Sequence, residues 1–302
     1  MRKALVILLL ALGSWLSAYS RSYLDIGARI GLGGLAYDCN YGSTSPGYHA
    51  AFDLGYLYKS PYWIAFRVGA TIETASSSYR KVGYEDQYTV TDVENEQMNI
   101  RYTIGVLRER HSWYDVSFPV QVGFHIDRFT FLVGPRFTLP LGGSWKETIN
   151  DAALAVYYPK YDNLIEESVP LAASKSFNME QSGDMVLNKW DCSLSGELTY
   201  DLLIHSQYGK AESYLSVGVY FDAGLTTTPT FPDQAKYGIL HLTDTRDGFP
   251  LTRIATPVLS AWREETPLVN KFRTFAVGFK VAYRLTTAPR ARKTHKGCNC
   301  DE

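Results

Sequence analysis

Three residues near the carboxyl end carry side chains that bind transition metals. Cys298 and Cys300 are separated by one residue, and His295 lies just before them. Thiolate sulfur and imidazole nitrogen are common zinc ligands. A lone Cys-x-Cys pair with one histidine is a weak signal, however, and a disulfide or free thiols explain the same residues. We therefore expect no metal and no other cofactor.

Histidine is the second residue type here that could do chemistry. A hydrolytic enzyme needs a nucleophile, a base and a group that orients the base. His125 lies close to Asp127 and is the best candidate base, although a histidine in such a place more often donates a hydrogen bond. No spacing forces a Ser-His-Asp group on the others, which are His49, His111, His205 and His241. We expect that the protein is not an enzyme.

Charged side chains recur at every second position of otherwise apolar segments. In the stretch 189–204, Trp190 and Leu198 fall on even positions, whereas Glu197 and Asp201 fall on odd ones. Residues two apart share one face of a β-strand, so this pattern predicts a strand with one apolar and one charged face. The same alternation occupies residues 23–37, 48–58, 62–74, 114–126, 129–141, 213–225 and 273–285.

The connections between these segments alternate between short and long. The short ones are residues 59–61, 127–128 and 205–212, and the long ones are residues 39–47, 75–113, 142–188 and 225–271. Antiparallel strands place alternate connections at opposite ends. The sequence therefore predicts an all-β fold, an antiparallel transmembrane β-barrel of about eight strands with tight turns at one end and long external loops at the other. An extra hairpin within residues 87–109 would change the strand count.

The charged faces also collect most of the strand glycines, which predicts that these faces line a crowded interior. Glycine weakens a strand, but inside a narrow barrel it leaves room for long side chains. We predict a polar, filled lumen with a salt bridge between Asp53 and Arg67. The other predicted lumen charges are Arg29, Glu73, Arg136, Glu197, Asp201, Asp222, Lys280 and Arg284.

Two short turns predict the register of their hairpins. The turn between Ile126 and Phe129 has two residues and places apolar side chains opposite one another. The three-residue turn at 59–61 places Asp53 opposite Arg67. Pro119 and Pro135 nearly face each other across the first hairpin and predict a bulge or kink there, because proline removes a ladder donor.

Aromatic residues on the apolar faces cluster at both strand ends, as membrane interfaces favour. Near the short turns they are Tyr56, Tyr58, Tyr62, Phe129, Tyr200 and Tyr283, and near the long loops Tyr48, Tyr114, Trp190 and Phe272. A soluble lipocalin-like carrier would instead turn its apolar face inward. The aromatic positions therefore favour a membrane barrel over such a carrier.

The amino-terminal residues 1–20 have the organisation of a secretory signal peptide. Arg2 and Lys3 precede a short apolar run, and small residues follow at Ala18 and Ser20. The run is about half the length that a bilayer-spanning helix needs. We expect a signal peptide at 1–20, a barrel at 21–285 and a basic periplasmic tail at 286–302.

Three segments resemble small porin-like outer-membrane barrels of the OmpA/PorT type found in Bacteroidota. Two of them, D-V-S-F-P-V-Q-V-G-F and F-T-F-L-V-G-P-R-F-T, resemble the middle hairpin of that family. The last, T-F-A-V-G-F-K-V-A-Y-R-L, is similar to a terminal strand that the barrel assembly machinery reads. The resemblance implies a location in the cell outer membrane and an assembly signal on Phe279, Val281, Tyr283 and Leu285.

These features predict only the general type of function. The net charge of −1 argues against a nucleic-acid partner. We expect a structural, surface-interaction or limited small-solute pore role, with outer-membrane lipid, the assembly machinery and envelope or surface proteins as partners. The alternatives are a membrane-embedded enzyme acting on lipid or peptide and, less favoured, the lipocalin-like carrier.

Overall fold

The computed structural model describes residues 21–39, 41–91, 95–161, 163–165, 176–205, 212–226, 238–243, 252–263 and 266–287. The predicted signal peptide and residues 288–302 of the predicted tail, with His295, Cys298 and Cys300, lie outside this part. Among the described residues, no helix has both the length and the apolar character needed to cross a bilayer.

Fourteen strands and two short 3-10 turns, Pro159–Tyr161 and Val258–Ser260, are found in the described residues. The eight longest strands are β1 (Arg21–Cys39), β2 (Ser43–Lys59), β3 (Ile64–Thr91), β4 (Gln97–Ile126), β5 (Phe129–Tyr158), β8 (Asp191–His205), β9 (Ser213–Gly224) and β14 (Val269–Thr286). The shorter ones are β6 (Asn163–Ile165), β7 (Phe177–Asp184), β10 (Leu240–Thr243), β11 (Thr252–Ala255), β12 (Trp262–Arg263) and β13 (Thr266–Pro267).

The eight long strands form a closed ring in which every pairing is antiparallel. The order around the ring is β1, β2, β3, β4, β5, β8, β9 and β14, and β14 returns to β1. At this closing seam Gly31 faces Gly278. The predicted fold class, an all-β antiparallel barrel of eight strands, is confirmed.

The barrel is apolar outside and charged inside. Ile30 and Phe52 project outward and are 68% and 55% exposed, whereas Asp53 and Arg67 are 0% exposed. This arrangement is the opposite of a lipocalin-like carrier, which buries its apolar face. An exterior band of this kind is typical of barrels that cross a membrane, because lipid contacts the apolar side chains.

Outward aromatic residues occupy both ends of the exterior band. The exposed ones include Tyr56, Tyr62, Phe129 and Tyr283 near the short turns, and Tyr48, Tyr114 and Trp190 at the other end. The prediction for Phe272 was wrong, because its side chain is buried in the protein. Its position is even, whereas the outward residues of β14, such as Val277 and Phe279, are odd, so the strand period itself turns Phe272 inward.

The structure confirms one predicted hairpin register and corrects the other. Ile126 faces Phe129, as the two-residue turn requires. In the β2–β3 hairpin, Asp53 faces Thr71 instead of Arg67, because the turn extends to Trp63. The Ser60 backbone N–H donates to the Ile64 carbonyl at 2.8 Å and closes this longer turn. The slip is an even number of residues, so every side chain keeps its predicted face.

The two prolines do not produce the expected bulge. Pro119 faces Arg136, and beyond a short gap in the ladder Val122 faces Val133 in the same register. The register shift in this hairpin lies elsewhere, between Tyr114 and Asp115. The ladder therefore loses bonds at the prolines without gaining a residue.

Much of the predicted long loops is strand. β3 continues to Thr91 and β4 begins at Gln97, so the two form a long hairpin that extends past the barrel and adds no strand to the ring. In this extension the alternation reverses its sense: Ile104 and Leu107 are buried, whereas Arg108 is exposed. The alternation shifts by one residue between Ile104 and Leu107, which are three residues apart and both buried, and on each side of this shift the apolar face points inward.

The described residues between β9 and β14, at 238–243, 252–263 and 266–268, pack on the inner side of this extension. Leu240 of β10, together with Val258 and Leu259, is buried in one apolar cluster with Ile100 and Ile104. Backbone N–H groups fix the segment: Val258 donates to Glu109 Oε2 at 2.8 Å and Leu242 donates to the Tyr88 hydroxyl at 2.9 Å. We call this cluster the outer core, and it lies beyond the barrel on the long-loop side.

Candidate functional site

The centre of the lumen is filled by a network of buried ion pairs. Lys280 Nζ lies 2.8 Å from Glu197 and 3.2 Å from Asp25. Arg67 Nε donates to Asp25 at 3.0 Å, and Arg284 Nε donates to the same carboxylate at 3.3 Å. All five side chains are 0% exposed. Charges buried this deeply are tolerated only when they are paired with opposite charges. Loss of one side chain therefore destabilises the rest of the network.

The predicted Asp53–Arg67 pair exists only as a long contact. Arg67 Nη2 is 3.9 Å from Asp53, whereas the closest cation to Asp53 is Arg29 Nε at 2.6 Å. Thr71 also donates to Asp53 at 2.5 Å. The corrected β2–β3 register explains this, since Thr71 and not Arg67 is the cross-strand neighbour of Asp53.

The short-turn end of the lumen is blocked by a second layer. Tyr23, Leu57, Ala65 and Leu132 form a buried apolar cluster that spans the interior. Beside it, Asp201 accepts hydrogen bonds from Lys59 at 2.7 Å and from Arg284 at 2.5 Å. Lys59 was assigned to a turn from the sequence, and only the fold places its amine inside.

The long-loop side of the lumen holds a third group, centred on Arg136. Its guanidinium pairs with Glu73 and lies 2.5 Å from Asp222. His49 Nε2 is 2.9 Å from Glu73, and its Nδ1 is 2.6 Å from the Tyr220 hydroxyl. These side chains come from four strands, so closure of the ring is what brings them together.

Atoms of His49, Glu73 and Asp222 lie within 4.8 Å of one another, a spacing that suits a metal ion. The guanidinium of Arg136, however, already pairs with both carboxylates. A metal would have to displace it, so the geometry fits a resident arginine better than a cation site. The arrangement compensates the buried charges, and Arg136 Nε also donates to the Ser117 hydroxyl at 2.8 Å.

A small recess, open to solvent, lies directly above this group. Its floor includes Arg136 and Asp115, and its walls include Leu35, Trp113 and Phe272 from the outer core. The recess is therefore a boundary between the charged lumen and the apolar outer core.

All ten lumen charges predicted from the sequence lie inside the barrel and are buried. Asp25, Asp115 and Lys59 join them there. Of the predicted assembly residues, Phe279, Val281 and Tyr283 face outward, and Leu285 is half-buried. Cys192 is a free, half-buried thiol.

His125 lies between two short turns in the structure. Its Nε2–H donates to the Ser60 carbonyl at 2.9 Å, which ties two short turns together. His241 lies 3.2 Å from the Thr256 hydroxyl. His111 Nδ1 is 2.7 Å from the Tyr37 hydroxyl.

A pair of carboxyl groups lies buried beneath the outer core, beyond the exterior apolar band. Glu109 faces Glu147 across β4 and β5, and His111 Nε2 is 2.5 Å from Glu109. Burial, reinforced by the neighbouring Glu109 charge, raises the pKa of Glu147 well above its usual value. Burial also acts to raise the pKa of Glu109, but His111 outweighs it and the pKa is lowered. One carboxyl is thus held neutral and the other ionised.

Comparison with known proteins adds little to what the structure shows. No protein-family model matches the chain, and no curated protein matches it. One similar solved structure is Ail, the attachment invasion locus protein of Yersinia pestis, in complex with the heparin analogue sucrose octasulfate. Identity is 8%, the TM-score is 0.20, and the match covers 88% of this chain and 97% of Ail. Values this low carry no argument about fold or function, and the barrel is established by the strand pairing alone.

Proposed function

We propose that this chain is an integral outer-membrane protein whose closed barrel anchors an extracellular binding structure. One observation carries the proposal: charged and apolar side chains fill the lumen from end to end, while three strands and a folded loop build a separate core outside it. A barrel used for passage needs an open lumen, whereas an anchor needs only a stable wall. Surface interaction is therefore favoured over the pore role.

Planar-bilayer recording tests the pore alternative. The purified barrel should insert and give no stepwise conductance, because Lys280, Arg67 and Arg284 cross the lumen at 0% exposure. Reproducible single-channel steps from the unmodified protein would contradict the closed-lumen proposal and restore limited solute passage.

Impermeant thiol labelling tests the location and orientation. In a variant lacking the four native cysteines, Thr89→Cys marks the end of the long hairpin and Arg128→Cys marks a short turn. A membrane-impermeant maleimide should label the first on intact cells and the second only after the outer membrane is opened. Equal labelling, or the reverse order, would refute the proposed topology.

We propose a non-enzymatic role, in which His125 serves as a turn-binding residue. The contact from its Nε2 to the Ser60 carbonyl supports this. His125→Ala should leave the lipid composition of the membrane unchanged. A changed composition with normal barrel folding would favour the alternative, an enzyme acting on lipid or peptide.

Assignment to the OmpA/PorT type of Bacteroidota is part of the proposal and depends on the three quoted segments. Recognition of the last strand by the barrel assembly machinery depends on the outward Phe279, Val281 and Tyr283. Envelope or surface proteins remain the proposed partners of the extracellular structure, and copurification from native membranes would identify them.

A further inference from the structure

Four cationic side chains cluster on the outer face of the long hairpin, beyond the exterior apolar band. This basic patch consists of Arg80, Arg108, Arg110 and Lys146, all exposed. Arg80 faces Arg108 directly across β3 and β4, and Arg110 faces Lys146 directly across β4 and β5. Directly opposed Cβ atoms are about 5 Å apart, and same-face neighbours along a strand are about 7 Å apart.

Only one member of the basic patch has a carboxylate partner. Lys146 lies 2.5 Å from Glu180. Within the described part of the chain, no ion pair joins a carboxylate to Arg80, Arg108 or Arg110. Like charges directly opposite one another destabilise a sheet. The patch therefore costs stability unless an anion lies between the arginines.

The rows below the patch place it relative to the membrane. Thr74, Tyr114 and Gly142 form the row at the outer aromatic belt, and Ser112 and Ser144 face each other in the next same-face row. Arg110 is four residues from Tyr114 along β4, or about 10 Å along the barrel axis for a strand tilted about 40°. Arginine side chains are long enough to extend back toward the interface. The patch is therefore within reach of the lipid headgroup layer.

We propose that the basic patch binds the phosphate groups of an anionic lipid headgroup in the outer leaflet, an inference that rests on the proposed membrane location. Guanidinium groups bind phosphate oxygens in a two-pronged manner. A phosphate between Arg80 and Arg108 removes their repulsion, and the hydroxyls of Ser112 and Ser144 lie below as further donors. The apolar band beneath contacts the acyl chains of the same lipid, which favours a lipid over a soluble polyanion.

The test uses the full chain in nanodiscs of neutral phosphatidylcholine containing a small fraction of phosphatidylglycerol or lipid A. Native mass spectrometry counts the anionic lipids that each protein retains. Arg80→Gln/Arg108→Gln/Arg110→Gln should reduce retention by about fivefold for each arginine, or on the order of a hundredfold together. Heat-modifiable migration verifies that the triple variant folds. The single variant Arg108→Gln repeats the test with only one substitution.

Arg101→Gln is the matched control for Arg108→Gln. Arg101 is exposed on the same strand but lies farther from Tyr114, beyond reach of the membrane. It should leave lipid retention unchanged. Equal loss in both variants, or undiminished retention in the triple variant, would overturn the inference.

Two further results separate the explanations. If heparin binds to the protein in neutral nanodiscs through Arg108 while anionic lipid is not retained, the patch is a receptor for a soluble polyanion and the lipid assignment is wrong. A chain that never enters nanodiscs defeats the proposed membrane location as well. Insertion without any preference for anionic lipid defeats only the inference about the patch.

Discussion

Individual charges in the lumen act through partners that come from distant strands. Lys280 on β14 contacts Asp25, Asp53 and Glu197, which belong to β1, β2 and β8. Removing such a cation leaves the buried carboxylates with one positive charge too few, which costs far more than the loss of an exposed pair.

We predict that Lys280→Met lowers the free energy of unfolding by about 3–5 kcal/mol. The measurement is urea unfolding of the barrel in liposomes. Lys146→Met is the control, because its pair with Glu180 is more than half exposed, and the expected loss there is below about 1 kcal/mol. Similar losses in the two variants would show that the lumen network does not stabilise the barrel.

The Glu109–Glu147 pair predicts a pH dependence confined to the outer core and the long hairpin. Because the pKa of Glu147 is raised on folding, its contribution is favourable below its unfolded pKa and is lost as the pH rises towards the folded value. Protease resistance of the outer core and the long hairpin should therefore decrease from acidic to alkaline pH.

Glu147→Gln should abolish most of this dependence and increase protease resistance at alkaline pH, since glutamine cannot ionise. Limited proteolysis across the pH range measures it, with the exposed Glu180→Gln as the control. An unchanged pH profile in Glu147→Gln would mean that Glu147 does not titrate between the two states.

At the scale of elements, the closing seam between β1 and β14 has little room. A Cβ on Gly31 would lie 2.2 Å from the Val277 carbonyl oxygen and 2.6 Å from Gly278 Cα. The obstacle is backbone, which cannot move aside as a flexible side chain would. The seam therefore depends on glycine at this position.

Gly31→Val should destabilise the barrel by more than the roughly 1–3 kcal/mol typical of overpacking, or prevent closure. Loss of the heat-modifiable band after refolding would report it. Ala28→Val, on the exposed face of the same strand, should refold normally. Normal refolding of Gly31→Val would show that the seam can widen.

At the scale of the whole molecule, the barrel and the outer core are joined by shared strands yet are stabilised by different interactions. Ion pairs hold the lumen, whereas apolar packing holds the described residues between β9 and β14 against the long hairpin. A change that destabilises one part should therefore leave the other part folded.

Replacing residues 227–268 with a short Gly-Ser linker should leave a heat-modifiable barrel but uncover Ile100, Ile104 and Leu107. The expected result is faster proteolysis of the long hairpin and increased binding of a hydrophobic dye. A variant that loses heat-modifiable migration would show instead that the outer core is required for barrel formation.

The sequence was sufficient for the faces of the strands and for the type of fold. An alternation with a period of two assigns each side chain to one side of the wall, so Asp53, Arg67 and Lys280 could be placed inside without coordinates. Even the error in the β2–β3 register did not alter this, because a slip by an even number of residues preserves the faces.

The tertiary structure alone decided which charges meet and what the long loops become. Arg29 pairs with Asp53 and Asp222 because closure of the ring fixes the position of each strand along the barrel axis and the direction in which its side chains point. The pattern within a single strand does not contain this information. The strands continue past the exterior apolar band because the apolar face of β3 and β4 changes sides, and the residues around Leu240 and Val258 cover it. That covering is a contact between parts of the chain far apart in sequence, so periodicity within either part could not reveal it.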